Sequence, residues 1–241
     1  MSDPTYAIEV EHLAKTFAGG RVSVLADVNL RVGAGDLVVL VGPSGSGKST
    51  TLHLLAALMQ PDSGNISVLG TDVTRGHHLD RYRRIDVGIV FQLHNLLPHL
   101  DVSQNIDIVM MGTHAHHAER QERIEDLLER LDLSAHRHSM PPQLSGGERQ
   151  RVAVARAFAN HPGVILADEP TGSLDDEAAA RVVELLREHC AHGGTVVAVS
   201  HDARLTAAAD RIVRIETGVA VEAKTLDNYE DRITTRQGAA R

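Results

Sequence analysis

The 241-residue chain has no tryptophan, only three phenylalanines and three tyrosines, and a single cysteine. With so few rings its core must be built from Leu, Val, Ile and Ala. A formal net charge of -8 combined with scarce aromatics also lacks the footprint of a general nucleic-acid binder, so no nucleic acid is expected as a partner. The lone Cys190 excludes an intrachain disulfide and a thiolate cluster. No window approaches the roughly 18 apolar residues of a membrane span, and "MSDPTYAIEVEHL" lacks a basic region followed by an apolar stretch. Any role at a membrane is therefore expected to come through a partner.

What the chain does have is a series of short β-branched runs: "LVVLVG" (37–42), "VGIVFQ" (87–92), "GVILAD" (163–168), "TVVAVS" (195–200) and "RIVRIE" (211–216). Their continuous apolar character predicts strands covered on both faces, as in a parallel sheet. Helix-like stretches at 48–58, 148–160 and 176–190 lie between several of them, which makes the fold class α/β with a parallel core sheet. From 93 to 143 no strand is apparent, and segments 102–111 and 118–133 carry Ile, Leu and Met at helical spacing. Together with the helix that follows, this reads as a helical subdomain inserted over about 93–160. Before Leu37, "IEVEHLAKTF" and "VSVLADVNLRV" alternate and predict an N-terminal antiparallel β subdomain, its strands at one edge. The length fits a single domain over 1–225, followed by a polar tail (226–241) expected to fray.

"GPSGSGKST" (42–50) fits G-x-x-x-x-G-K-[ST], with an apolar strand before it and an apolar helix after it. Gly42, Pro43, Ser44, Gly45, Ser46 and Gly47 would wrap a phosphate. Lys48 would place charge between terminal phosphates, the Ser49 hydroxyl would ligate Mg²⁺, and Thr50, the residue after the motif, is a further candidate contact. "VILADEP" (164–170) is an apolar strand ending in two acids. The C-terminal end of a parallel strand is the edge where ligands bind, so Asp168 is placed to hold Mg²⁺ and Glu169 to orient or deprotonate an attacking water. "VSHD" (199–202) puts His201 on the same edge, as a contact to a γ-phosphate that also positions Glu169. Gln92 ends "GIVFQ" and would reach Mg²⁺ or the water through its amide. Position alone does not separate Gln92 and His201 from solvated loop residues.

A second glycine turn, "QLSGGERQ" (143–150), also precedes a helix and also suits an anion. Deep in a helical insertion, it would be carried away from Lys48, so it is expected to serve the nucleotide of a second copy of the chain. The histidine run "HAHH" (114–117), beginning at His114, with His136 and His138 downstream, could suit a metal. No acid or thiol completes a ligand set there, and a polar surface loop explains the run.

These motifs, in this order and with "SLD" at 173–175, lie in a stretch from about Ile8 to Gly218 that resembles ATP-binding-cassette ATPases, a class of P-loop NTPase. The resemblance implies ATP and Mg²⁺ as ligands, ATP hydrolysis, and a homodimer packed head to tail around two ATP molecules. It implies that Ser145, Gly146 and Gly147 contact the γ-phosphate across the interface and that Asp175 couples the two sites. Phe17 stands where adenine is usually stacked, with a core position as its rival reading; Tyr6 lies too far upstream. "FQLHNLLPHLDVSQNI" and "LADEPTGSLD" are similar to the group of macrolide exporters, lipoprotein-release transporters and the cell-division ATPase, although Ser173 replaces a commoner Asn. The resemblance to that group implies a separate chain docked on a permease at the cytoplasmic face of the inner membrane. Docking here would use 93–111, with Leu93, Leu96, Leu97 and Leu100 either lining the groove or filling the helical core. The ATPase of a small-solute importer is the alternative, followed by a soluble clamp ATPase. The short span between Gln92 and Ser145 holds no long coiled coil of the chromosome-clamp kind.

Overall fold

The computed structural model describes residues 6–74, 79–113 and 116–223; His114 and the 226–241 tail lie outside them. In chain order the elements are β1 (Tyr6–Phe17), β2 (Val22–Gly33), β3 (Leu37–Val41), α1 (Lys48–Leu55), β4 (Ser63–Val68), β5 (Thr71–Asp72) and the single turn α2 (Leu79–Arg81). They continue with β6 (Val87–Val90), α3 (Val102–Met110), α4 (His117–Arg130), α5 (Gly146–Phe158), β7 (Val164–Asp168) and α6 (Asp176–Ala191). The last are β8 (Thr195–Val199), α7 (Ala203–Ala208), β9 (Arg211–Glu216) and β10 (Val219–Ala223).

All five apolar runs are strands of one sheet ordered β10-β9-β3-β8-β7-β6, parallel from β9 to β6 and antiparallel only at β10. The reason for their unbroken apolar character is visible in how they are buried. Leu37, Val39 and Val41 of β3 belong to one core, and Val38 and Leu40 to another. The same division separates Ile165 and Ala167 from Val164 and Leu166, and Val196 and Ala198 from Val197 and Val199. With period-2 alternation and both faces covered, polar side chains of β7 and β8 are confined to the strand ends, Asp168 and Thr195. The first core is completed by α3, α4, α5 and α6, and the second by α1 and the N-terminal strands.

Those N-terminal strands are antiparallel as expected, but they do not sit at an edge of the parallel sheet. They form a second sheet, ordered β2-β1-β4-β5, whose inner residues Ile8, Val10, Leu13, Val28 and Val32 are buried in the second core. Helix ends also move. Helix α1 stops at Leu55 rather than at Leu58, because Ala57 takes a left-handed backbone (φ 52°) that no helix continues through. Helix α4 stops at Arg130, with Leu131 and Leu133 buried in the turn around Asp132 (φ 53°).

Two local devices set the loop that precedes α3. Asp101 accepts from Gln104 N at 2.8 Å while its own N–H donates to Gln104 Oε1 at 2.9 Å, a capping box that starts the helix. Fully buried Asn105 then accepts from Leu97 N and donates to the carbonyls of Leu97, Leu100 and Asp101, so the turn after β6 is held by side-chain amide bonds. Helix α5 lies so close to β6 that a Cβ at Gly88 would stand 2.1 Å from the Ala157 carbonyl oxygen. Among the described residues, no helix is long and apolar enough to cross a membrane.

His189 on α6 makes the fold sensitive to acid. Its ring meets Phe158 edge-on at 5.5 Å, and its Nε2 is buried without a hydrogen-bond partner. Burial first, then the nearby His192, Arg123 and His161, pull its pKa below the usual 6.5. The folded chain keeps this ring neutral where the unfolded chain protonates it, so the unfolded state binds more protons and stability falls as pH falls through that value. His94 and His161, also lowered by burial, act in the same direction. The thermal midpoint is expected to drop between about pH 7.5 and 5.5. In His189→Asn that slope should flatten; an unchanged slope would remove His189 from the account.

Candidate functional site

The loop between β3 and α1 is shaped by its glycines. Gly42 (φ 145°) passes so near β9 that a Cβ would lie 2.2 Å from the Ile215 carbonyl oxygen. At Gly47 (φ 102°) a Cβ would lie 2.4 Å from Leu25 Cδ2. Both positions admit only glycine. Gly47 caps α1 without a side-chain hydrogen bond, so the first N–H groups of the helix stay open to an anion. Lys48, 8% exposed, folds back to donate to the carbonyls of Gly42 (2.9 Å) and Pro43 (2.8 Å). Burial lowers its pKa, and the carboxylates of Glu169 and Asp168 oppose that shift. In the same loop Ser46 Oγ is buried with no partner. Open N–H groups, an ammonium and an unsatisfied hydroxyl make a set that fits a phosphate chain.

At the end of β7, Asp168 is 6% exposed and Glu169 adopts a left-handed backbone (φ 49°). The Glu169 N–H donates to the Val199 carbonyl at 2.9 Å, which anchors the turn to the end of β8. Ser200 Oγ donates to Glu169 Oε2 at 3.4 Å, and His201 Nε2 stands 3.8 Å from Oε1. Gln92, Glu169 and His201 line one cleft of about 610 Å³, together with His94 and Gln150. Residues that follow three strand ends thus meet in one cleft. Ser49, Asp168 and Gln92 offer a hydroxyl, a carboxylate and an amide oxygen, hard donors of the kind Mg²⁺ prefers.

Other predicted residues stand apart from this cleft. Ser145 is exposed and caps α5: its hydroxyl accepts from Glu148 N at 3.2 Å, and its own N–H donates to Glu148 Oε2 at 2.6 Å. The box leaves the N–H groups of Gly146 and Gly147 at the open helix end. A Cβ on Gly146 would meet nothing within 4 Å, so this turn is sterically open. Asp175, also exposed, accepts from Ala178 N at 2.9 Å and caps α6. Phe17 is not a core residue. It is 40% exposed at the end of β1, with Lys15 Nζ 5.7 Å from its ring centre, while the Tyr6 ring carries the Arg31 guanidinium at 5.4 Å.

The four leucines divide between the two readings. Leu97, with Phe91, Ile89 and Ile108, lines a groove of about 370 Å³; Leu93 is 82% exposed and not part of that lining, Leu96 packs on the first core instead, and Leu100 is half-buried outside the groove. The histidines pair with acids: His136 with Glu148 at 3.2 Å and His138 with Asp101 at 3.3 Å. Among the described residues no cluster of three His, Cys, Asp or Glu could hold a metal. Sequence reasoning assigned no role to Gln150, His94 and Ser200, although each stands in a quoted stretch: Gln150 ends "QLSGGERQ", His94 lies in "FQLHNLLPHLDVSQNI" and Ser200 precedes His201 in "VSHD".

The family model described as ABC transporter matches residues 25–172. The macrolide export ATP-binding/permease protein MacB 2 of Aeromonas hydrophila is 41% identical over 222 residues, 90% of this chain and 34% of that one. The MacB of Nitrosomonas europaea is 42% identical over 235 residues, 95% of this chain and 35% of that one. The chain thus spans about a third of the length of the curated relatives it matches. Among solved structures, a dimeric post-hydrolysis state of the ATP-binding cassette MJ0796 bound to ADP and Pi is similar with a TM-score of 0.84 and 32% identity, covering 91% of this chain and all of that one. A second dimeric structure of that bacterial ABC transporter cassette aligns with the same TM-score at 33% identity. With its glycine loop, its paired strand-end acids and relatives that match over nearly its whole length, the chain belongs to the ABC transporter family.

Proposed function

We propose that the chain is the ATP-binding and ATP-hydrolysing cassette of an ABC transporter of the export or mechanotransmission type. The observation that carries this reading is the convergence of Gln92, Glu169 and His201 on one cleft, with Lys48 close enough to Glu169 and Asp168 to feel their charge. In this reading the cassette occupies about 1–225, with the helical subdomain inserted over 93–160. Gly42 to Thr50 and Lys48 bind the phosphates, and Phe17 offers its exposed ring to the base. Ser49, Asp168 and Gln92 would hold Mg²⁺, which when bound neutralises charge on the terminal phosphates.

Glu169 is the general base: its carboxylate accepts the proton of the attacking water while Ser200 and His201 fix its rotamer. His201 also donates toward the γ-phosphate. Ser145, Gly146 and Gly147 close on the nucleotide of a second copy, and Asp175 links the two sites. Docking to a membrane permease uses the groove around Leu97 and Ile108 in the 93–111 region, which would place the chain peripherally at the cytoplasmic face of the membrane. The export reading is favoured by the MacB relatives, whose names state macrolide export.

The test is affinity purification of the tagged protein from gently solubilised native membranes, with co-purifying chains identified by mass spectrometry. A permease with a large extracytoplasmic domain is expected. A many-span permease with a solute-binding protein would replace export by import, and soluble partners alone would overturn the transporter reading.

A further inference from the structure

We propose that Gln150 and Arg156 are positioning residues through which α5 ties the turn at Ser145 to both loops of its own chain's cleft, the one carrying Glu169 and the one carrying Gln92. The inference rests on the hydrolytic reading of Glu169. Gln150 is 2% exposed, yet its amide is spent on the cleft rather than on the helix: Nε2 donates to the Glu169 carbonyl at 3.4 Å, and the side chain lines the same cleft as His94. A buried amide has two donors and an acceptor to satisfy, and here one donor is committed to the loop that carries Glu169. Further along the same helix, Arg156 uses both terminal nitrogens on consecutive carbonyls of the Gln92 loop, His94 at 2.7 Å and Asn95 at 2.8 Å.

The residues so held are the ones least able to hold themselves. Glu169 (φ 49°), His94 (φ 62°) and Asn95 (φ 49°) all have left-handed backbones. Such conformations persist where the surroundings over-determine them. Helix α5 begins at the exposed Ser145 turn, and Gln150 lies about 7.5 Å along the axis from it at 1.5 Å per residue. A helix is stiff over that length. When a second copy seats its nucleotide on the Ser145 turn, α5 settles with it, and the same motion sets the Glu169 backbone and the Gln92 loop. Each chain would thereby sense the other's nucleotide at its own water-activating carboxylate.

Gln150→Leu keeps an apolar stem of similar length and removes the donor; Arg156→Lys keeps the charge and removes the fork. In each, kcat for ATP hydrolysis is expected to fall roughly ten-fold, the scale of a small misplacement of reacting groups. KM should change by less than about two-fold, because the phosphate loop is untouched. Combined with Glu169→Gln, each variant should still dimerise on ATP, and its thermal midpoint should stay near that of the parent. If Gln150→Leu unfolds, Arg156→Lys carries the same test. Unchanged kcat, or a KM that rises while kcat is kept, overturns the inference. Glu169→Gln alone separates the two ideas. If it still hydrolyses ATP, the hydrolytic reading fails; if it is inactive beside a fully active Gln150→Leu, only this inference fails.

Discussion

Glu169→Gln is expected to lower steady-state phosphate release by at least about a hundred-fold, the scale of a lost general base, while ATP binding stays intact. The substitution is almost isosteric, and the features that hold residue 169 are mainly in its backbone. Its N–H donates to the Val199 carbonyl, and its own carbonyl accepts from Gly172 N and Gln150 Nε2. Gln has the same Cβ as Glu and tolerates the left-handed φ equally, and its Oε can still accept from Ser200 Oγ. What disappears is the negative oxygen proposed to take the water's proton. Because nothing in the Lys48 loop changes, the nucleotide should bind and stay unhydrolysed, and the dimer should accumulate. Light scattering with ATP and Mg²⁺ should show twice the monomer mass, and a hydrolysis assay should show almost no phosphate. A variant that retains hydrolysis would strip Glu169 of its role. Persistent monomers of the inactive variant would argue that the two cassettes do not close around ATP without a permease.

Placed in that inactive background, Ser145→Arg is expected to abolish the ATP-dependent dimer altogether. Ser145 is exposed, its turn has open space at Gly146, and the two glycine N–H groups there are the only ones at the helix start that the capping box leaves over. An arginine at this position removes the cap and fills the surface that a partner's phosphate would approach. Loss of the cap alone costs about 1 kcal/mol, so a destabilised helix needs to be told apart from a blocked surface. Ser145→Asp does this. Aspartate caps as well as serine, which preserves the helix, but it turns a negative charge toward the incoming phosphate. Both variants should bind nucleotide as monomers and neither should dimerise. A dimer that survives both substitutions would locate the contact elsewhere on the surface.

The site was legible in the sequence where its residues stand at strand ends. Lys48, Asp168, Glu169 and His201 each follow an apolar run whose two-sided burial betrays it as a central parallel strand, and in such a sheet all the C-terminal ends share one edge. The same reasoning could not find β4, because "SGNISV" has a glycine and an asparagine and buries only Ile66 and Val68. It also missed β10, although Thr217 (φ 52°) and Gly218 (φ 75°) make the tight turn that reverses the chain after β9. Gln150 and His94 were out of reach for another reason. Their importance arises from how α5 seats against β6 and the end of β7, which no local pattern records. The sequence offered Leu96 and Leu97 alike to the groove or to the core, and only three-dimensional packing assigns one to the core and the other to the groove.

The alternation of β3, β7 and β8 between two cores has a mechanical result. A single layer of backbone separates the helical side of the molecule from the side that carries the antiparallel sheet and α1. Neither side can lose its packing without stripping the other of a wall, so the two halves must melt together. The glycine loop before α1 springs from β3, in the middle of that shared wall, and its anchorage therefore weakens whichever half is damaged first.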